Sequence, residues 1–538
     1  PRKNLNACDK LDLYVNSIYS EEQFLNYSDV KACYELTPYN ETQAIQVQIL
    51  KEYFKGFYIF LEKAKEQPNP GFTFRPIDLI SELDLIYTFY QGLSLYSVIK
   101  KDGTQQIKVF NDVKDPSNIE CQVINIDDRP AIDVITEYAK NNISKSRDLS
   151  IRFNYALASL SFGGYGDFSI YGQSFTLRTQ LPKNPNISYT LNCNDKISKI
   201  TREWQVPIND KSNIVWQYKS PYINGNSVGK ANLIFDAFIA RFYILQDFGV
   251  VLISTEVSAD SLKYHYLSDL TFGFELLATI GIKKIILDLS NNGGGDVFIA
   301  QYIAKLLFPN IQTFPLDIKV NNISIPFIEE TSKIKLKVGD IFHYKTFISV
   351  NTNNSFNNVT DFIGNNTYNR SDIQLKFTSK AFLNQTAIYG GTLELSTPPK
   401  LPWTENDIII LTNGICESSC ALLTQRLAEI NVPTISVGGF PNNQFSFATL
   451  SGGASYDTSS IVTSLGQLKN LNNSLISSLS IPSTLTLHFT LAEAYSIKNP
   501  SEVLEFSFRP ADYQLYYDER SARDPSYLWI QAAKFFEK

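Results

Sequence analysis

The sequence predicts a multidomain α/β protein, and three observations support this fold class. Two stretches each contain near-continuous runs of β-branched residues that alternate with helical patterns, which is typical of a parallel sheet covered on both faces. The region before them carries short alternating strands and Gly-rich turns. A chain of 538 residues is too long for one ordinary hydrophobic core, so several domains are expected.

The α/β signal lies in residues 250–307 and 407–439. The first stretch predicts strands over 250–254 and 284–289 with a helical stretch between them, then a glycine turn and a helix over 297–307. The second stretch predicts a strand over 408–412, a helix over 421–430 and a strand over 433–437. We expect both stretches to contribute to one core.

The hydrophobic patterns and local composition divide the chain into five predicted segments. Apolar residues at helical spacing over 44–64 and 77–99 favour an N-terminal helical cap, and the middle of the chain is Asn-rich with little periodicity. The predicted segments are a helical cap over 1–104, a β-rich domain over 105–230, a core over 231–310 and 400–460, an Asn-rich glycosylated insertion over 311–399, and a C-terminal segment over 461–538 that packs on the core.

Composition excludes several classes of partner. The net charge is −6 and no long run of Lys or Arg is present, so a nucleic-acid partner is not expected. No stretch reaches the roughly 18 uninterrupted apolar residues of a membrane helix, so no membrane span is expected.

Cysteines and glycosylation signals favour a secreted, extracellular or cell-surface protein. Six cysteines are an even number, and they allow fifteen disulfide pairings. Cys8 and Cys33 flank the first helical stretch and are placed to staple it. N-glycosylation sequons begin at Asn26, Asn40, Asn142, Asn186, Asn322, Asn353, Asn358, Asn365, Asn369, Asn384 and Asn472. An Asn- and Ser-rich chain also forms sequons by chance, which is the alternative interpretation.

A glycine turn follows the second predicted core strand, in the stretch Asp288-Leu-Ser-Asn-Asn-Gly-Gly-Gly-Asp296. Glycines in a strand-to-helix turn leave backbone N–H groups unobstructed, and the helix N-terminus adds partial positive charge. Such a turn is suited to hold an oxyanion or a phosphate. The alternative is a tight structural turn. The dinucleotide pattern G-x-G-x-x-G is absent.

A second strand-to-helix turn has the sequence Thr412-Asn-Gly-Ile-Cys-Glu-Ser-Ser-Cys-Ala-Leu422. Ser418 is expected at the first turn of the helix, where a nucleophile gains stabilisation of its anion from unpaired N–H groups. The alternative role for Ser418 is a helix N-cap, since Ser is a preferred capping residue. Cys416 and Cys420 either form a disulfide that braces this turn or are two small buried residues.

Taken together, the two motifs resemble those of a known family. Residues 288–295 resemble the Asp-Leu-Arg-x-Asn-x-Gly-Gly block of the tail-specific, C-terminal-processing serine peptidases. Residues 416–420 resemble their Ser-Ala-Ser-Ala-Ser block, whose middle Ser is the nucleophile, in a Cys-x-Ser-x-Cys form similar to a secreted fungal branch. Further resemblances are Val437-Gly-Gly439 and Phe508-Arg-Pro-Ala-Asp512. The resemblance covers about 235–310 and 400–460 well.

The resemblance implies a crotonase/ClpP-like αβ spiral core, related to the interphotoreceptor retinoid-binding protein and the tricorn core, and a PDZ-like character for the β-rich domain. It implies Ser418 as the nucleophile, with backbone N–H groups of Gly294 or Gly295 and of Ser419 as the oxyanion hole.

The sequence departs from the family at the general base. Family members carry a Lys in a Gly-Lys-Gly turn further along the chain, and the corresponding position here is Asn443. Tricorn-like enzymes take a His from an Asp-Gly-His segment, and the nearest match, Asp102-Gly103-Thr104, has Thr at that position. A Ser without a base is a poor nucleophile at neutral pH, because general-base help is typically worth about 10²- to 10⁴-fold.

Other candidates for chemistry are few. His265 follows the first core strand and is the candidate base, with a His packed among tyrosines as the alternative. Gly225-Asn-Ser-Val-Gly229 fits the nucleophile elbow G-x-S-x-G, but no hydrophobic strand precedes it. No metal-binding spacing occurs, so neither a metal nor another cofactor is expected.

Two functions remain open from the sequence. The first is a secreted serine endopeptidase of the tail-specific type that cleaves polypeptide substrates. The second is an inactive pseudo-peptidase that binds peptides or apolar ligands in the same groove. The missing family Lys makes both hypotheses necessary.

Overall fold

The structure is a computed structural model of the 538-residue chain. It describes residues 6–8, 11, 23–36, 89–143, 146–158, 174–178, 181–208, 227–237, 239–257, 263–335, 340–370, 373–384, 400–449, 454–457 and 488–537.

An eight-stranded sheet carries both sequence motifs. Its strands, in spatial order, are β1 (Ser227–Val228), β2 (Ala231–Asp236), β3 (Ala240–Leu245), β4 (Phe248–Ile253), β5 (Ile285–Asp288), β6 (Ile408–Thr412), β7 (Thr434–Val437) and β8 (Tyr513–Leu515). Strands β1 to β4 are antiparallel, and β4 to β8 run parallel. Every residue of β4, β5, β6 and β7 is buried, as the apolar runs predict.

Helices cover the two faces of this sheet, which confirms the predicted layering. They are α1 (Lys263–Thr279), α2 (Val297–Leu307), α3 (Ser419–Glu429) and α4 (Pro525–Ala533). Alternate strand residues such as Val251, Leu287 and Ile410 pack with α1, α2 and α3 in one core. Their neighbours, such as Ile286 and Ile409, pack with α4 in a second core on the opposite face.

The parallel pairing of β5 with β6 brings the two motifs together. Asp288 at the end of β5 is in register with Leu411 of β6, one residue before the end of that strand. Because carboxyl ends of parallel strands share one sheet edge, the glycine turn and the Ser418 turn emerge side by side.

A six-stranded sheet forms the β-rich region. Its strands are Leu93–Ile99, Gln105–Asp112, Gln122–Ile126, Arg129–Pro130, Asn186–Cys193 and Lys196–Glu203, and its helices are Ala131–Asn142 and Leu149–Leu157. The helical prediction for 77–99 is wrong over its described part. Phe89–Tyr90 and Leu93–Ile99 are strands, because Leu93–Ile99 pairs along its whole length with Gln105–Asp112. The predicted helix over 44–64 lies outside the described residues.

The N-terminal segment joins a second, four-stranded sheet. Its strands are Gln23–Asn26, Gln205–Ile208, Phe89–Tyr90 and Leu177–Arg178. The helix Tyr27–Glu35 follows the first of these strands. Pairing of Gln23–Asn26 with Gln205–Ile208 ties the beginning of the chain to the end of the β-rich region.

The Asn-rich region is more regular than its weak periodicity suggests. It forms a sheet from Leu316–Val320, Phe347–Ser349, Asn366–Arg370, Ile373–Phe377 and Ala381–Leu383, with helices Ser324–Thr331 and Val359–Ile363. Leu316–Val320 pairs with His488–Ala494, which in turn pairs with Ala454–Asp457. An aromatic-rich core that includes Phe327, Phe347 and Phe362 holds it together. Long-range pairing and aromatic packing, neither of which produces a local period, explain the difference.

Three disulfides join all six cysteines: Cys8–Cys33, Cys121–Cys193 and Cys416–Cys420. The first confirms the predicted staple. Among the described helices, none combines the length and the apolar character that a membrane crossing requires. The short helix Glu519–Arg523 precedes α4.

Candidate active site

Ser418 lies at the junction between the turn after β6 and the start of α3. Its backbone has φ 51° and ψ −119°, a conformation that is rare for a residue with a side chain. Its hydroxyl makes no capping hydrogen bond and no other hydrogen bond to a described residue. Ser418 is partly exposed, whereas residues 411–417 and 419–422 are buried. The geometry therefore presents this hydroxyl outwards and excludes the capping role.

A buried disulfide closes the turn around Ser418. Cys416 and Cys420 are both fully buried, and their Cα atoms are 5.2 Å apart. The bond links the turn to the first turn of α3, and it settles the alternative that the sequence left open.

The glycine turn lies directly against the Ser418 turn. A Cβ atom placed on Gly294 would lie 2.6 Å from the carbonyl oxygen of Glu417 and 2.8 Å from Cβ of Ser418. Only a residue without Cβ permits this approach, and φ 90° at Gly294 also favours glycine. The Glu417 N–H donates to the carbonyl oxygen of Asn292 at 2.9 Å, which links the two turns through their backbones.

The backbone N–H groups of the two turns differ in their availability. The Gly294 N–H donates to Oδ1 of Asn292 at 2.8 Å and is already used. The N–H groups of Gly295 and Ser419 donate to no acceptor in the described part of the chain. An N–H at the first position of a helix has no intrahelical acceptor, which accounts for the free donor at Ser419.

Glu256 is a fully buried carboxyl group behind these turns. Its Oε1 accepts from Nδ2 of Asn292 at 3.0 Å, and its Oε2 accepts from the hydroxyl of Ser419 at 3.2 Å. Its backbone pairs with the glycine turn through the N–H bond to Gly294 O and the bond from the Asp296 N–H. Burial raises the pKa of Glu256 to about 7, against the two hydrogen bonds, which lower it.

Asparagines connect the turns on the other side. Nδ2 of Asn413 donates to Oδ1 of Asn291 at 2.8 Å, and the Asn291 N–H donates to Oδ1 of Asn413 at 3.1 Å. Asn154, from the β-rich region, donates to the carbonyl oxygens of Asn413 and Val437 and accepts from the N–H of Gly439. The β-rich region therefore contacts the edge of the sheet from which both turns emerge.

Asp288, the first residue of the glycine motif, has a structural environment. Its Oδ2 accepts from Nε1 of Trp529 in α4 at 2.7 Å, and its Oδ1 accepts from the Ser290 N–H at 3.0 Å. Burial raises its pKa. This carboxyl group anchors the start of the glycine turn to the C-terminal helix, away from Ser418.

Neither the candidate base His265 nor the residues at the base positions of the family hydrogen-bond to Ser418 in the described part of the chain. His265 lies exposed in the first turn of α1 and makes no hydrogen bond to Ser418. Asn443, at the position of the family Lys, donates to the hydroxyl of Ser150 at 3.0 Å. Thr104 lies in an exposed hairpin turn where its N–H donates to Asp102. His343 is buried in the insertion and accepts from the Lys345 N–H.

Two further expectations concern other chemistry. Ser227 of the G-x-S-x-G pattern lies in β1, which forms a hairpin with β2, so the strand-to-helix context of a nucleophile elbow is absent there. Within the described ranges, no group of three His, Cys, Asp or Glu is placed to hold a metal ion.

The sequence patterns did not identify Glu256 or Asn292 as residues of the site. Asn292 is inside the glycine motif, but nothing in a single sequence says which way its side chain points. Glu256 did give a signal, because it is a charged residue three positions after a strand that is apolar throughout. A carboxyl group so close to a buried strand is a candidate for burial, and burial raises the pKa of a carboxyl group.

Comparison with known proteins supports the resemblance. No family model matches the chain. The peptidase S41 family protein ustP of Aspergillus flavus is 24% identical over 300 residues, which are 47% of this chain and 61% of that protein. The match therefore spans about three fifths of the relative's length.

The fold has a counterpart among solved structures. Mature CPAF in complex with lactacystin superposes with a TM-score of 0.53 at 12% identity, over 91% of this chain and 97% of that chain. The photosystem II D1 C-terminal processing protease is 10% identical over 89% of this chain and 94% of that one, with a TM-score of 0.29. The predicted resemblance to the tail-specific serine peptidases is therefore confirmed: the chain is similar in sequence to a peptidase S41 family protein, and its mixed α/β fold is similar to that of mature CPAF.

Proposed function

We propose that this protein is a serine peptidase of the tail-specific type, with Ser418 as its nucleophile. One observation carries the proposal: Ser418, whose hydroxyl is unbonded and partly exposed, packs against Gly294, and the residues that follow each of them, Ser419 and Gly295, have N–H groups without an acceptor in the described part of the chain. A nucleophile next to preorganised N–H donors is the arrangement that acyl transfer requires. The likeness to an S41 family protein supports the same reaction class.

In the proposed reaction, Oγ of Ser418 attacks the carbonyl carbon of a peptide bond and passes its proton to a base. The carbonyl oxygen becomes an oxyanion that accepts hydrogen bonds from the N–H groups of Gly295 and Ser419. The tetrahedral intermediate then expels the amine, which takes a proton, and water hydrolyses the acyl-enzyme. Gly294 contributes shape to this hole, since its own N–H is bonded to Asn292.

The mechanism also requires a general base that accepts the proton of Ser418. His265 is the candidate that the sequence names, and catalytic hydrogen bonds that are absent in a free enzyme often form only with substrate bound. His265 makes no hydrogen bond to Ser418, and this observation favours a second function. In that alternative the protein is a pseudo-peptidase that binds peptides or apolar ligands without cleaving them.

The proposal extends to the fold types of the core and of the β-rich domain. We propose that the core over 231–310 and 400–460 is a crotonase/ClpP-like spiral and that the β-rich domain over 105–230 is PDZ-like. The insertion over 311–399 and the C-terminal segment over 461–538 then pack on that core. The parallel order β4-β5-β6-β7 and the helices on both faces support the first assignment.

We also propose that the protein is secreted or displayed at the cell surface. All six cysteines are joined in disulfides, which persist in oxidising compartments. Exposed sequon asparagines, including Asn186, Asn322, Asn353 and Asn358, are accessible for glycosylation.

A fluorophosphonate probe tests the function. We expect covalent labelling on the peptide that contains Ser418, and loss of labelling in Ser418→Ala. Ser227→Ala removes the serine of the G-x-S-x-G pattern and should label like the wild type. Labelling or cleavage that persists in Ser418→Ala contradicts the assignment. Absence of labelling, together with peptide binding that Ser418→Ala leaves unchanged, establishes the pseudo-peptidase instead.

A further inference from the structure

The buried carboxyl group of Glu256 joins the two turns of the proposed site. One carboxylate oxygen contacts Asn292, whose own Oδ1 holds the Gly294 N–H, and the other contacts the side chain of Ser419. The Glu256 backbone brackets Gly295, because its N–H donates to Gly294 O and its carbonyl oxygen accepts from the Asp296 N–H. One residue therefore fixes both segments that offer free N–H groups.

The glycine turn packs closely against the backbone at Glu256. A Cβ atom placed on Gly295 would lie 2.3 Å from the backbone of Glu256 and Val257, so the glycine turn is seated directly on this strand end. The Glu256 side chain is fully buried, and none of the described cationic side chains pairs with it. A buried carboxylate without a cation is costly, and neutralisation by protonation is the usual response.

We propose that Glu256 is a positioning residue of this site, which holds the Gly295 and Ser419 amides towards the oxyanion and supports the reaction in its neutral form. The inference rests on the peptidase function proposed above. Ionisation of Glu256 would oppose the reaction through electrostatic repulsion. The new negative charge lies beside Ser419, whose amide must bind a developing negative charge, and both charges are shielded from water.

Other carboxyl groups lie on the two turns that contact Glu256. On the glycine turn, Asp288 is bonded to Trp529 and Asp296 caps α2 at the Phe298 N–H. On the Ser418 turn, the titratable neighbour is the buried Glu417. Among the described residues, no charged side chain shifts the pKa of Glu256, which burial raises to about 7, so its ionisation falls within the range in which a peptidase is assayed.

The experiment compares fluorophosphonate labelling rates of the full chain between pH 5.5 and 8.5. The variant Glu256→Gln keeps the size of the side chain and remains neutral. The ratio of the wild-type rate to the Glu256→Gln rate cancels the pH dependence of Ser418 activation, which both proteins share. We expect a ratio that falls roughly tenfold as pH rises, with a midpoint near 7. Glu35→Gln makes the same chemical change on an exposed helix and should give a flat ratio.

A second variant keeps the inference testable if Glu256→Gln does not fold. Ser419→Ala removes a hydrogen bond that lowers the pKa of Glu256, so the midpoint of its own pH–rate profile should move to higher pH. The inference is overturned if the ratio of the wild-type rate to the Glu256→Gln rate does not change with pH, or if the midpoint does not move in Ser419→Ala. Labelling of Ser418 in the same experiments would still support the peptidase function. Absence of labelling in every folded variant overturns the peptidase function and, with it, this inference.

Discussion

Gly294 lies so close to Ser418 that a Cβ atom on the glycine would be 2.8 Å from Cβ of the serine. The contact joins residues that are far apart in sequence, and it depends on the parallel pairing of β5 with β6. It also determines the shape of the hole in which an oxyanion would lie.

Gly294→Ala should therefore abolish labelling of Ser418. The added Cβ would lie 2.6 Å from the Glu417 carbonyl oxygen, and φ 90° adds strain of about 1–3 kcal/mol. Gly281→Ala is the matched control, since Gly281 has φ 85° but no neighbour within 4 Å of its Cβ position. Denaturant unfolding and probe labelling distinguish the two: both variants lose stability, and only Gly294→Ala loses labelling. Equal labelling of both variants would contradict the contact.

Replacement of Cys416 and Cys420 by serine should strongly reduce probe labelling of Ser418 while it lowers the free energy of unfolding only modestly. The disulfide closes a loop with a separation of 4 residues, and the loop-entropy relation gives a contribution of about 2 kcal/mol. The Cys121–Cys193 bond closes a separation of 72 residues and is worth about 4 kcal/mol in the same relation. Removal of that second pair should cost more stability and leave labelling intact. The opposite pattern would show that the first disulfide does not support the Ser418 turn.

Glu256→Gln should change how stability depends on pH. The folded pKa of about 7 lies above the ordinary value, so the folded state holds its proton more tightly than the unfolded state. Stability from this group is complete below the unfolded pKa and is lost as pH rises towards 7, by up to about 3 kcal/mol. Urea unfolding at pH 4.5 and pH 8 measures the loss. A wild-type protein and variant with parallel profiles would disprove the raised pKa.

Trp529→Phe should destabilise the protein more than Trp403→Phe. Both indoles are buried hydrogen-bond donors, but Trp529 donates to the carboxyl group of Asp288 and Trp403 donates to the backbone carbonyl of Ile282. Loss of a partner leaves a buried carboxyl group at a cost of about 1–3 kcal/mol or more. Loss of the bond also raises the pKa of Asp288 further, because that bond lowers it. Chemical denaturation of both variants tests the difference, and equal losses would contradict the anchoring role of Asp288.

If the protein is secreted as proposed, it should carry N-linked glycans on its Asn-rich region. Intact mass before and after enzymatic deglycosylation measures them, and thiol titration under denaturing conditions should find no free cysteine, as the three disulfides require. Protein from a secreting eukaryotic host with an unchanged mass and free thiols would contradict the proposed location.

The sequence by itself determined the local elements of the core. Continuous apolar runs predicted the buried parallel strands, and the observed Val297–Leu307 and Ile408–Thr412 have the predicted bounds. These signals are local, because burial on both faces leaves no polar alternation in a strand. The two motifs also predicted which turns would meet, because parallel strands place their carboxyl ends together.

Only the tertiary structure decided what depends on contacts between distant residues. Leu93–Ile99 follows a helical pattern but becomes a strand because Gln105–Asp112 pairs with it. The pairing of Cys416 with Cys420 and the bonds of Glu256 to Asn292 and Ser419 likewise require distances that no residue pattern contains. The sequence named Ser418, and the packing of Gly294 and Glu256 around its turn gave that serine its environment, because pKa and hydrogen-bond direction depend on burial and geometry.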